Sequence, residues 1–132
     1  MSRILVDTSI WIEFFRRPDA PVSLVLDQLL GHRLVCTTGL VKAEVVPGAR
    51  SPRDFRRLRS LFDALPRAPE REGFWAHLVR FRYRLQTKGV LGIGIPDLIV
   101  ATVAIQNRKL VFTTDEDFVR MIPHIPVRLF TP

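Results

Sequence analysis

Four acidic residues that are far apart in the sequence each lie within or beside a strongly apolar segment: Asp7, Glu44, Asp97 and Asp115. Asp117 follows in an Asp-Glu-Asp run. An ionised carboxylate is costly to bury unless it is paired, hydrogen-bonded or bound to a metal ion. Carboxylates brought together raise one another's pKa values, and a divalent cation relieves their repulsion. Because an all-oxygen set suits Mg²⁺ or Mn²⁺, and no Cys and His set for zinc is present, the acids predict a hard divalent metal site.

Each acid also has a structural explanation. Asp7, Asp97 and Asp115 are placed where helix caps or first-turn acids occur, and such positions contribute ~0.3–1 kcal/mol. Glu44 falls within a predicted helix among apolar neighbours, so its alternative is a buried pair with an arginine. Asp117 is explained equally well as the acidic start of a helix.

The elements that carry these acids favour one shared location. The run Ile4-Leu5-Val6 is typical of a strand buried on both faces, and Asp7 follows directly after it. A second apolar strand is predicted at 110–113, just before Asp115. In open α/β sheets, ligands bind in the crevice at the carboxyl ends of the strands, where the following helices also begin. We therefore expect the acids to meet at that edge.

Strands and helices alternate along most of the chain. The patterns predict strands at 4–6, 34–36, 110–113 and 127–130, and helices at 9–16, 22–30, 40–46, 51–65, 70–88 and 96–107, with a short helix ending near 122. This alternation indicates an α/β fold with a mainly parallel sheet and helices on both faces. A length of 132 residues predicts one domain, spanning 1–132.

The composition is that of a basic globular protein. Hydrophobic residues make up 47% of the chain, and 20 Lys and Arg against 13 Asp and Glu leave a net charge of +7, which favours polyanionic partners. Two predicted helices carry cations that we interpret as phosphate contacts, the alternative being a solvated face: Arg53, Arg57, Arg80, Arg84 and Lys88. No apolar run approaches the ~20 residues of a membrane span. The single cysteine, Cys36, predicts core packing and a reducing cytoplasm.

Four short motifs carry a family resemblance. They are Val6-Asp7-Thr8-Ser9, Glu44 in its short helix, Pro96-Asp97-Leu98-Ile99-Val100-Ala101 and Thr113-Thr114-Asp115-Glu116-Asp117-Phe118. With these motifs the sequence resembles a PIN-domain ribonuclease, specifically a VapC-type toxin of a toxin–antitoxin system. The resemblance implies a three-layer α/β/α sandwich, a homodimer, and Mg²⁺- or Mn²⁺-dependent hydrolysis of RNA phosphodiester bonds. It also implies a cognate antitoxin whose C-terminal segment covers the active site.

The resemblance also implies roles for individual residues. The catalytic acids would be Asp7, Glu44, Asp97 and Asp115, and the metal-binding acids would be Asp7, Asp97, Asp115 and Asp117. Ser9 and Thr113 match small hydroxyl positions that would orient the carboxylates, and the basic helices would hold the RNA backbone. Pro47 stands where the family has an aliphatic or aromatic residue, which affects the expected end of the helix that carries Glu44.

Two other functions compete with this interpretation. A phosphoacceptor receiver domain is also a compact α/β chain with acids and Mg²⁺, but it needs paired acids near the first strand. Here Asp7 stands alone, and Glu44 would have no role. A non-catalytic PIN-like module that binds RNA or a protein partner is the second alternative.

Overall fold

A computed structural model describes residues 3–132 of the chain. Residues 1 and 2, which belong to the predicted 1–132 domain, lie outside the described residues. Within residues 3–132 the strands are β1 (Ile4–Val6), β2 (Val35–Cys36) and β3 (Leu110–Phe112). The helices of the same range are α1 (Thr8–Arg16), α2 (Pro21–Gly31), α3 (Gly39–Val45), α4 (Pro52–Ala64), α5 (Phe74–Thr87), α6 (Ile95–Asn107) and α7 (Glu116–Met121). A 3-10 turn, Val46–Gly48, follows α3.

The described strands form a parallel sheet in the order β2-β1-β3. Leu5 of β1 stands opposite Cys36 on one side and Val111 on the other. All three β1 side chains are buried, as expected for a central strand covered on both faces. The predicted parallel sheet and the α/β/α fold are thus confirmed, and β1 and β3 end side by side at the edge where Asp7 follows.

Helix α6 is the most buried helix of this chain. Its residues Leu98, Val100, Ala101, Val103 and Ala104 are at most 1% exposed, in agreement with its nearly continuous apolar sequence. Pro96 stands in its first turn, where the missing amide hydrogen is not needed. This buried part begins at Leu98, directly after Asp97 in the N-terminal turn of the helix.

The start of α5 was predicted wrongly. The pattern placed it at Glu70, but the helix begins at Phe74 after Gly73, whose φ of 77° is left-handed. The preceding backbone is held by the end of α6 instead: Gln106 Oε1 accepts from the Arg71 amide at 2.9 Å, and Asn107 Nδ2 donates to the Pro69 carbonyl at 2.8 Å. Tertiary hydrogen bonds therefore replace the first helical turn.

The predicted strand at 127–130 is also wrong. The chain there forms only a bridge between Leu129 and Val111. The Val111 amide donates to the Arg128 carbonyl at 2.9 Å, and the Phe130 amide donates to the Val111 carbonyl at 2.8 Å. Prolines at 126 and 132 flank this segment, and because proline has no amide hydrogen, the ladder is short.

Cys36 lies in the core as predicted. It is 1% exposed, and burial raises the pKa of its thiol to about 11. The thiol is therefore protonated at neutral pH and packs as a small apolar side chain. None of the helices formed by residues 3–132 combines the length and apolar character that crossing a membrane requires.

Candidate metal centre

Three carboxylates meet at the end of the sheet, and we call Asp97, Asp115 and Asp117 the acidic trio. One carboxylate oxygen from each lies within 4.8 Å of the others. Asp97 stands in the first turn of α6, Asp115 immediately precedes α7, and Asp117 is in the first turn of α7. All three are partly buried. The trio thus lies where two helix N-termini come together, and Asp97 and Asp115 are 18 residues apart in sequence.

Asp7 lies behind the trio and is 5% exposed. Its amide donates to the Phe112 carbonyl at 2.9 Å, which joins the ends of β1 and β3. Its Oδ2 accepts from Ser9 Oγ at 2.9 Å and from Thr113 Oγ1 at 2.8 Å. Although Asp7 occupies the N-cap position of α1, its side chain makes no capping hydrogen bond there. The two hydroxyls therefore fix the orientation of this carboxylate.

Asp115 caps a helix and also contributes a carboxylate to the acidic trio. Its Oδ1 accepts from the Asp117 amide at 2.9 Å, so it caps α7, as the structural alternative predicted. Its own amide donates to Thr113 Oγ1 at 2.9 Å. Thr113 thus connects Asp7 to Asp115, because its one hydroxyl contacts both residues. Capping engages only one oxygen of Asp115 and is compatible with metal binding by the other.

The strongest electrostatic effect falls on Asp97, whose pKa is raised from 3.8 to about 7. Burial is the largest cause, followed by the negative charges of Asp115 and Asp7, a hydrogen bond with the Asp115 side chain, and the charge of Asp117. In the metal-free protein a proton on Asp97 relieves the repulsion between the carboxylates. A bound cation would relieve the same repulsion.

Glu44 differs from its prediction. It is exposed, not buried, because α3 turns Val41 and Val45 inward and leaves Glu44 on the outer side near the end of the helix. Its Oε1 accepts from Thr8 Oγ1 at 2.7 Å. No arginine of residues 3–132 forms a salt bridge with Glu44, so the predicted alternative of a buried arginine pair is wrong. Thr8, directly after Asp7, brings Glu44 to the border of the site.

The predicted phosphate contacts lie on two separate surfaces. Arg57 on α4 lines a cavity of about 520 Å³, together with Glu44, Phe15, Arg16 and Arg50. Arg57 also forms a salt bridge with Asp54 at 3.1 Å, so part of its charge is already neutralised. Arg53 is exposed on the same helix. The remaining cations line a second cavity of about 490 Å³ along α5: Arg80, Arg84 and Lys88.

The acidic trio fits a hard divalent ion. Its donors are all carboxylate oxygens, as Mg²⁺ and Mn²⁺ prefer. Two oxygens that bind one Mg²⁺ lie at most about 4.2 Å apart, so separations of up to 4.8 Å require only a small contraction. Asp7 is outside this closest group, although its charge acts on Asp97. Asp117, which the sequence explained equally well as a helix start, is inside it.

Two residues of the site were missed by the sequence analysis. Arg120 on α7 forms a salt bridge with Asp117 at 3.1 Å, and Thr8 contacts Glu44. The signals were available, since Arg120 is three residues after Asp117 on the same helix face and Thr8 follows Asp7. Each signal is weak alone, because the spacing of residues along one helix does not show which other element they contact.

Comparison with known proteins identifies relatives across nearly the whole chain. The family model described as PIN domain matches residues 4–122. A chain of the DNA-bound VapBC from Salmonella typhimurium is similar with a TM-score of 0.76 at 20% identity, covering 98% of both chains. A chain of FitAcB from Neisseria gonorrhoeae has a TM-score of 0.71 at 25% identity, covering 98% of this chain and 97% of that chain.

A third similar structure is VapBC-5 from Mycobacterium tuberculosis, a member of the VapBC family of toxin–antitoxin systems. Its TM-score is 0.67 at 23% identity, and the match covers 97% of both chains. No curated protein sequence matches this chain significantly. The family assignment therefore depends on the matched domain, and the similar structures add the fold.

Proposed function

The chain belongs to the PIN-domain family, and from this premise we propose that it is a metal-dependent endoribonuclease, the toxin of a toxin–antitoxin pair. The observation that carries the proposal is the acidic trio, in which burial and the neighbouring negative charges together raise the pKa of Asp97 to about 7. Keeping like charges together destabilises the folded protein, and a bound cation would offset this repulsion.

In this proposal Asp97, Asp115 and Asp117 hold the ion, and Asp7 adds its negative charge from behind. A bound Mg²⁺ or Mn²⁺ lowers the pKa of a water molecule and stabilises negative charge on phosphate oxygens. Ser9 and Thr113 keep Asp7 oriented by donating to its Oδ2. Glu44, held by Thr8, stands at the border of the site, where it can accept a proton or orient a water molecule.

The cavity beside Glu44 supports a nucleic acid as substrate. Arg16 and Arg50 line it, and their guanidinium groups form no salt bridge among the described residues. Cations without a salt-bridge partner that share a cavity with Glu44 provide backbone contacts of the kind that any nucleic acid strand uses. Arg53, Arg57, Arg80, Arg84 and Lys88 would extend the basic surface over α4 and α5.

We propose the cognate antitoxin as partner because the similar structures are VapBC and FitAcB assemblies. A homodimer is also proposed, and the exposed apolar side chains of α5 supply a surface for it: Trp75 (61% exposed), Val79 (64%) and Tyr83 (68%). We further propose that residues 1–132 act as one nuclease domain in a reducing cytoplasm, where a buried free thiol such as Cys36 is stable.

The experiment is a cleavage assay on a mixture of single-stranded RNAs with Mg²⁺, Mn²⁺ or EDTA. We expect cleavage only with metal, and loss of cleavage in Asp97→Asn. The matched control is Asp27→Asn, which makes the same chemical change on the exposed side of α2 and should cleave like the parent.

Binding of RNA without cleavage by the parent, in the presence of either metal, would contradict the proposal and identify a non-catalytic RNA-binding PIN module. Cleavage that persists in EDTA, or at the parental rate in Asp97→Asn, would separate the activity from the acidic trio.

A further inference from the structure

Arg120 connects the acidic trio to another segment of the chain. Its Nη1 donates to Asp117 Oδ1 at 3.1 Å, and its Nη2 donates to the Leu91 carbonyl at 2.6 Å. Both terminal nitrogens of one planar guanidinium group are therefore engaged, by partners that are 26 residues apart in sequence. An arginine held at two points cannot rotate away from either without losing the other contact.

The second contact reaches the loop between α5 and α6, residues 88–94. Gly89 and Gly92 adopt left-handed φ angles of 76° and 81°, which other residues rarely do, so the loop backbone is intrinsically free to change conformation. Arg82 of α5 donates to the Ile93 carbonyl of the same loop. Two arginines thus hold a loop that ends three residues before Asp97.

We propose that Arg120 is a positioning residue for the metal centre, and this inference rests on the proposed function. By holding Asp117 with one nitrogen and the 88–94 loop with the other, it fixes α7 and the start of α6 relative to each other. Asp117 and Asp97 are then close before a metal ion arrives. The metal consequently does not have to order its own ligands, and the affinity of the site is higher.

A simple counter-charge would behave in the opposite way. A positive charge beside a divalent cation repels it, so removal of Arg120 would tighten metal binding if charge were its only contribution. Removal would weaken binding if positioning dominates. The direction of the change in metal affinity therefore distinguishes the two roles.

The test is a titration of the metal-free protein with Mn²⁺ by isothermal calorimetry, without RNA. We expect Arg120→Gln to weaken Mn²⁺ binding roughly tenfold, as loss of a residue that orients a ligand typically does. Arg120→Lys keeps the charge but not the two-point contact, and we expect a loss of roughly threefold. The control Arg56→Gln removes an exposed charge from α4 and should leave the affinity unchanged.

A double variant tests whether Arg120 acts through the trio. Arg120→Gln changes the logarithm of the Kd for Mn²⁺ by a certain amount in the parent. In an Asp117→Asn background we expect the same substitution to change it by less than half of that amount. Thermal unfolding in EDTA serves as the folding control for each variant.

If the parent binds Mn²⁺ and Arg120→Gln binds it with equal or higher affinity, the inference about Arg120 is overturned. The proposed function is not affected by that result. A parent that binds no Mn²⁺ would overturn both the inference and the proposed metal-dependent function. The two failures are therefore distinguishable from the same titrations.

Discussion

On helix α4 each acid lies beside a positive charge, whereas at the carboxyl edge of the sheet acids lie beside one another. Asp54 pairs with Arg57 at 3.1 Å, and Asp63 pairs with Lys42 of α3. At the sheet edge, burial of Asp97 and the charges of the carboxylates around it raise its pKa to about 7. Exposed salt bridges such as these two contribute little to the free energy of unfolding.

The difference marks a region in which like charges are kept together at the expense of stability. On α4 each acid is next to a cation, so no acid there repels another. The sheet edge gathers Asp97, Asp115 and Asp117 because α6 and α7 begin where β1 and β3 end, and the repulsion is a property of that arrangement. A cluster of like charges held close together is therefore a better indicator of function than the number of charged residues.

The largest effect that tests this comparison is on activity. Asp115→Asn keeps a good N-cap for α7, since asparagine caps helices as well as aspartate, but it removes one charge from the trio. We expect RNA cleavage with Mn²⁺ to fall by roughly a hundredfold or more, with an unchanged or higher melting temperature in EDTA. A variant that melts well below the parent would show that Asp115 is chiefly structural.

The next effect is stabilisation by metal. At a Mn²⁺ concentration of about 100 times Kd, binding to the folded state adds about 2.7 kcal/mol, which raises the melting temperature by roughly 10 °C. Asp97→Asn should show less than half of this shift, whereas Asp63→Asn should show all of it. Equal shifts in both variants, measured by differential scanning fluorimetry, would place the ion elsewhere.

A smaller effect is expected on the pH dependence of stability without metal. Because the folded protein raises the pKa of Asp97 from 3.8 to about 7, protonation of this group favours the folded state. Its contribution is complete below about pH 4 and is lost as the pH rises through 7.

Asp97→Asn should consequently be more stable than the parent at pH 8 in EDTA, and the advantage should disappear towards pH 4. Because Asp97 is partly exposed and water screens the repulsion, we expect a gain of about 1 kcal/mol in the free energy of unfolding. Urea denaturation at several pH values measures it. An advantage that does not change with pH would show that repulsion is not its cause.

The smallest effect belongs to the paired region. Asp63→Asn breaks an exposed salt bridge with Lys42 and should change the free energy of unfolding by no more than about 0.5 kcal/mol. The change should shrink further in 1 M salt. A loss of several kcal/mol in urea denaturation would show that this pair is as consequential as the acidic trio, which would remove the contrast between the two regions.

Much of the fold was predictable because its signals are local. The apolar run at β1 and the buried helix α6 were located correctly from hydrophobic patterns alone. The start of α5 and the last strand were not. The first depends on side chains of α6 that are about 35 residues away, and the second on whether Leu129 reaches Val111. Neither contact has a signature in its own segment.

For the candidate site, the sequence by itself determined which residue types were available and that Asp7, Asp97 and Asp115 follow strands or begin helices. Only the tertiary structure decided which carboxylates are neighbours, because that depends on the packing of α6 and α7 at one edge of the sheet. It placed Asp117 inside the trio, Asp7 behind it and Glu44 on the exposed border of the site. Burial and distance, which set electrostatic energies, are properties of the assembled chain.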